Sequence, residues 1–209
     1  MSIAQNPVMG KMAKSFANVN TYVHKGQNVI SAKAFNRKDP NTEAQQSQRA
    51  AFKLIRELTN RFGGILQVGF PQRPEKQSAA NMFMKLNLPA AIDFTGENPV
   101  IDYSKLTIAK GSLTDVNVMS ASFANGKVTL TVDTKAAWHG VEATDQIQLI
   151  AGTTSGAMFA GINPRGSEAE LSISLTVNVT EASEIAFVYL FVFSADKSKA
   201  SNSVFVALA

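Results

Sequence analysis

The side chains able to do acid–base or nucleophilic chemistry are few in this sequence and stand far apart. It has two histidines, His24 and His139, and no cysteine. A histidine base needs a nucleophile in hydrogen-bond reach and a carboxylate to orient it, and a metal site needs three or four ligands. Spacing assembles neither around His24, in the turn-like His24-Lys25-Gly26-Gln27, nor around His139, which precedes Gly140. Without thiols the chain has no disulfide framework, no thiolate metal site and no cysteine nucleophile. Asp93, Glu97 and Asp102 gather beside Asn98-Pro99 in the manner of a solvated connector, not of a paired acid and base. Gly63-Gly64 and the pair Gly152 and Gly156 lack the strand-to-helix context of a phosphate cradle, and read as a helix stop and a turn. The expectation is a protein that is not an enzyme and uses no cofactor or metal.

Binding chemistry is better supplied. Trp138 and His139 stand together before Val141 in a turn-rich stretch, a candidate platform for a carbohydrate or another surface. Lys25, Lys33, Arg37 and Lys38 interleave with Phe16, Tyr22 and Phe35, a pattern that suits a single nucleic-acid strand. Three aromatics on one hairpin are more often its own core, so an acidic protein neighbour is the preferred partner and nucleic acid the alternative. Charge supports that order: residues 1–73 carry eleven Lys and Arg against three acids, a net +8, whereas residues 111–209 carry five against nine, a net −4. Opposite signs at the two ends suit contacts between copies of the chain.

The elements that must position these groups fall in two textures. Val19, Tyr22 and Val23, then Val29, Ile30 and Ala32, flank the Lys25-Gly26 turn as a β-hairpin. Asp39-Pro40-Asn41-Thr42 restarts the chain as a helix with Thr42 as N-cap; Ala44, Ala51, Ile55, Leu58 and Phe62 form its apolar stripe, and Gly63-Gly64 ends it. A second helix is expected over 75–86, with Pro89 preventing its continuation. After Pro99 the spacing turns to short runs of Val, Ile, Thr and Phe. Strands are expected near 105–109, 117–123, 127–133, 145–151, 157–162, 169–177, 185–194 and 202–207. Val128, Leu130 and Val132 alternate with polar residues as a half-buried strand does, while Ile185 to Phe193 is apolar on both faces and is placed centrally. The fold class is α+β, mainly β: a basic N-terminal arm, hairpin and helix region over 1–99, then an immunoglobulin-like or fibronectin-like antiparallel β-sandwich over 100–209.

Lys25-Gly26-Gln27-Asn28-Val29-Ile30, the run Asn41-Thr42-Glu43-Ala44-Gln45-Gln46 with Gln48-Arg49-Ala50-Ala51-Phe52, and the C-terminal Ser194-Ala195-Asp196-Lys197 with Ser201-Asn202-Ser203-Val204-Phe205 together resemble a family of uncharacterised bacterial and prophage-associated proteins. The resemblance implies an architecture and no reaction, and associates the chain with phage-like particles. The expected function is a structural or assembly protein of a phage or phage-like virion, as a tail, vertex, spike or decoration subunit. Its partners would be other copies or other virion proteins, with no membrane. Synthesis in the cytoplasm without a signal peptide and incorporation into a particle are expected, since residues 1–17 lack a continuous apolar stretch. Lys25, Arg37, Lys38, Gln45, Gln48 and Arg49 are the interface candidates. Phe52 is expected to anchor that helix face from below, so that Phe52→Ala costs about 3 to 5 kcal/mol.

Overall fold

The computed structural model describes residues 2–4, 14–16, 18–24, 27–33, 41–96 and 98–208. Two compact units divide the chain, Met1–Thr42 and Glu43–Ala209. In the first, β1 (Ser2–Ala4), β2 (Lys14–Phe16), β3 (Val19–His24) and β4 (Gln27–Ala32) form one antiparallel sheet in the order β1-β4-β3-β2. The expected hairpin is its centre, with His24 opposite Gln27 and Tyr22 opposite Val29.

The second unit begins with α1 (Glu43–Phe62), α2 (Ile65–Gly69) and α3 (Ala79–Ala90). Ala51, Ile55, Leu58 and Phe62 of α1 are buried, as the helical stripe requires, but Ala44 is exposed, so the inward face starts at the third turn. Gly63 ends the helix at φ +46°, a conformation glycine takes at little cost. The second long helix starts and ends later than its sequence pattern suggests. Ser78 caps it by accepting from the Asn81 N–H, and Pro89 lies within its last turn. The fully buried Asn87 secures that end: its amide donates to the Phe83 and Thr107 carbonyls and its oxygen accepts the Thr107 N–H. Proline at 89 deprives only the carbonyl of exposed Lys85 of an intrahelical partner, a group water can reach. The stretch expected as a solvated connector is ordered by a two-stranded ladder, β5 (Ile92–Asp93) on β6 (Val100–Ile101).

Seven strands follow: β7 (Asn117–Ala124), β8 (Lys127–Asp133), β9 (Gln146–Thr153), β10 (Met158–Pro164), β11 (Glu170–Thr176), β12 (Ile185–Phe193) and β13 (Val204–Val206). The segment expected as a strand at 105–109 instead follows a 3-10 turn at Tyr103–Lys105 and runs extended outside any ladder, burying Leu106, Ile108 and Ala109. The other seven strands sort into two antiparallel sheets, β11-β8-β7 and β10-β9-β12-β13, which is the three-on-four arrangement of an immunoglobulin- or fibronectin-like sandwich.

The four-stranded sheet is buried on both sides. Ile147, Leu149, Val188, Leu190 and Val192 meet Val128, Leu130, Val132, Ile173 and Leu175 of the other sheet. On its opposite face Ile150, Phe187, Tyr189, Phe191 and Phe193 pack under the helices with Ile55, Leu58, Phe62, Leu66 and Phe83. Both-sided burial is what the uninterrupted apolar run of β12 encodes. Phe62 lies 5.4 Å from Phe83 and 5.9 Å from Phe187 by ring centroids, so aromatic contacts join helices to sheet. A boundary at 99 and 100 would cut through this core. The helices belong with the sandwich, and the compact units part at Thr42 and Glu43.

Candidate functional site

Two surfaces of the second unit carry the candidate residues. The first is the amino-terminal half of α1. Because core packing begins at Ala51, the first two turns stand proud of the hydrophobic core, and Ala44, Gln45, Gln48, Arg49 and Phe52 line a depression of about 700 Å³. These positions recur at three- and four-residue steps and so share one helix face. Gln48 and Arg49 are exposed and Gln45 is half-buried. Phe52 is 48% exposed, which corrects the expectation of a core anchor: its ring belongs to the outer surface, while Ile55 and Leu58 do the anchoring. On another side of the same two turns, Glu43, Gln46 and Ala50 face Phe94, Asn98 and Pro99 across a second depression of about 560 Å³. Phe94 is 41% exposed, so this end of the unit presents two aromatic rings to solvent. Lys25, Arg37 and Lys38, the other interface candidates, lie outside the described residues, as does Glu97.

The carboxylates near Pro99 are occupied locally. Asp93 accepts the Thr95 N–H, which holds its carboxyl below the usual range. Asp102 receives the Lys105 ammonium at 2.7 Å and the Ser104 hydroxyl, and these hold it down to about 2. Both act as acceptors that shape a turn.

The second surface is the end of the sandwich at which the loops 134–145, 165–169 and 194–203 meet. Trp138 is displayed there with 61% of its surface exposed and His139 is exposed beside it. The Lys135 ammonium sits 5.2 Å from the Trp138 ring centroid and 2.6 Å from the Asp115 carboxylate, which steadies the indole from beneath. The structure thus places Trp138 and His139 on one exposed loop.

The residue that builds this end gave no signal in the sequence. Arg165, fully buried, donates from Nε and Nη2 to the Thr134 carbonyl, from the same Nη2 to the Asp115 carbonyl and from Nη1 to the Thr114 carbonyl. It thereby ties the approach to β7, the end of β8 and the end of β10 into one cluster. Asp145 lies 3.7 Å away, buried, with no hydrogen bond to Oδ2; burial pushes its carboxyl up. Beside Asp145 a polar hollow of about 260 Å³ is lined by Glu142, Ser194, Asp196 and Lys199. Asp196 organises the adjoining loop by accepting from Ser194 and Ser198, bonds that hold it at about 2. Among the described residues no group of three or more His, Asp or Glu is arranged to hold a metal ion. No helix of the described residues is long and apolar enough to cross a membrane.

A family model described as a family of unknown function, DUF6266, matches residues 10–207. The chain belongs to DUF6266. That match begins within the first compact unit and covers every strand of the sandwich, so this DUF6266 chain carries the family's sequence pattern from β2 through β13. No curated protein matches it.

Proposed function

We propose that this DUF6266 chain is a non-catalytic structural protein that works through protein–protein contacts, and in its most specific form a subunit of a phage or phage-like particle. The observation carrying this reading is the outer face of α1, where Phe52, Arg49 and Gln48 share one exposed, partly apolar surface. A half-exposed phenylalanine flanked by arginine and glutamine is the composition of a contact centre: the ring supplies apolar area, and the polar groups fix orientation. The charge difference between residues 1–73 and 111–209 favours neighbours that are copies of the same chain. Sedimentation of the protein across a concentration and salt series tests the reading. Growth into large species that Arg49→Ala and Phe52→Ala suppress without loss of helical signal supports it; unchanged growth in both variants contradicts it.

A second reading, a carbohydrate- or surface-binding module, is favoured by the exposed Trp138 ring backed by Lys135. It predicts glycan or cell-surface binding that Trp138→Ala abolishes.

A further inference from the structure

Strand β10 closes one side of the four-stranded sheet, pairing with β9 and, among the described residues, with nothing beyond it. Its register with β9 runs without interruption from Met158 opposite Gly152 to Pro164 opposite Gln146. Just outside the two ends of that ladder, Arg165 N–H donates to the Asp145 carbonyl and Thr153 N–H to the Ala157 carbonyl. Hydrogen-bonded pairs in an antiparallel ladder alternate, so 157, 159, 161, 163 and 165 turn their backbone groups to β9 and the even residues turn theirs away. Met158, Ala160 and Ile162 therefore direct three N–H groups and three carbonyls out of the sheet. Pro164, next in that series, has no N–H, and it ends the donor row.

Edge strands ordinarily carry features that discourage further pairing. Here β7 is broken by a register shift at Met119, β13 is three residues long, and β11 begins at Glu170 and exposes Ser172, Ser174 and Thr176. Strand β10, Met-Phe-Ala-Gly-Ile-Asn-Pro, has no charged residue. Its Ile162 is 58% exposed, on the helix-facing side of the sheet that it shares with Met158.

We propose that β10 is a strand-addition surface whose occupant is β10 of a second copy, antiparallel, giving one continuous eight-stranded sheet about a two-fold axis through Ala160. The donor and acceptor row selects this occupant. Centred on Ala160, each outward N–H meets an outward carbonyl of the same three residues, and Ala160 faces itself. Ile162 falls opposite Met158 of the partner subunit, which covers the exposed isoleucine with an apolar neighbour. Pro164 falls opposite Gly156 of the partner subunit, where the pairing stops. This surface is separate from the α1 face, and the inference stands without the particle reading.

The absence of cysteine makes the register directly testable. Opposed residues of a hydrogen-bonded antiparallel pair have Cα atoms about 5.5 Å apart, within disulfide reach. In the full-length chain, Ala160→Cys is expected to oxidise to a covalent dimer, Ile162→Cys alone to stay uncrosslinked, and Met158→Cys mixed with Ile162→Cys to crosslink. Ala160→Pro removes one outward N–H and leaves the bonds to β9 in place, so in sedimentation velocity it is expected to convert dimer to monomer. A monomeric wild type, a dimer indifferent to Ala160→Pro, or self-crosslinking by Ile162→Cys would each overturn the proposal. The last would mean a parallel or shifted pairing.

Discussion

Arg165→Met removes the guanidinium that bonds the carbonyls of Thr114, Asp115 and Thr134 together at the loop end of the sandwich. Methionine fills similar volume, so the loss is one of hydrogen bonds and charge, not of packing. A buried carbonyl left without a donor costs about 1 to 3 kcal/mol. Three such groups, eased by water entering from the adjoining hollow, place the total at about 3 to 5 kcal/mol, the range for breaking a buried ion pair. Against a domain stability of about 5 to 15 kcal/mol, that is a large fraction. Urea unfolding followed by far-UV circular dichroism measures it, since the lone Trp138 is too exposed to report on the core. The sign of the pH dependence follows from Asp145. Its carboxyl is raised by burial above the ordinary 3.8, so the folded protein holds that proton more tightly than the unfolded chain. The group's contribution is fully present below 3.8 and is lost as pH rises through the folded value. Without the guanidinium the carboxylate is harder still to ionise, so the deficit of Arg165→Met grows as pH rises through that window. Arg165→Lys, with one ammonium in place of a planar fork, recovers less than half. A loss below about 1 kcal/mol, or a deficit that shrinks as pH rises, would refute the reasoning.

Gly152→Ala would push a methyl against the Phe187 ring, whose atoms lie 2.2 to 2.9 Å from the new carbon, and is expected to cost about 1 to 3 kcal/mol in the same unfolding assay. Phe52→Ala should cost under about 1 kcal/mol while Phe62→Ala costs about 3 to 5, a contrast fixed by an exposure of 48% against 1%. The Asp196 carboxylate, held at about 2 by Ser194 and Ser198, contributes stability present above 3.8 and lost as pH falls toward about 2; thermal melts across that range should show Asp196→Asn flattening the acid limb.

The parts legible in the sequence were those written in side-chain period. The buried stripe of α1 repeats at helical spacing, Val128, Leu130 and Val132 alternate as a strand does, and the both-sided apolarity of β12 marks a central strand. What escaped the sequence is tertiary. Leu106, Ile108 and Ala109 look like a strand because they are apolar, yet the segment is held by packing and by the Asn87 and Ser203 side chains, not by a ladder. Phe52 looks like core because it is a phenylalanine on a helix; only the point at which α1 meets the sheet places it outside. The compact units part at Thr42 and Glu43, a place that the change of texture at Pro99 does not mark, because that change is one of local period, while the second unit includes the helices covering the second face of β9 and β12. Arg165 ties together carbonyls from segments 31 to 51 residues away, a relation that linear spacing cannot encode. For the candidate sites, residue type was enough to single out Trp138 and Arg49, and only the fold could supply the Lys135 support and the exposure of Phe52.

The central claim, a structural protein whose α1 face makes contacts between subunits, is tested most directly by electron microscopy with sedimentation velocity on the wild type and on Gln48→Ala/Arg49→Ala/Phe52→Ala. The wild type is expected to form extended or closed assemblies as concentration rises. The triple variant should keep its helical and strand signal but stop at the β10-paired dimer. A wild type that never grows beyond a dimer, or a triple variant that assembles as the wild type does, would contradict the account.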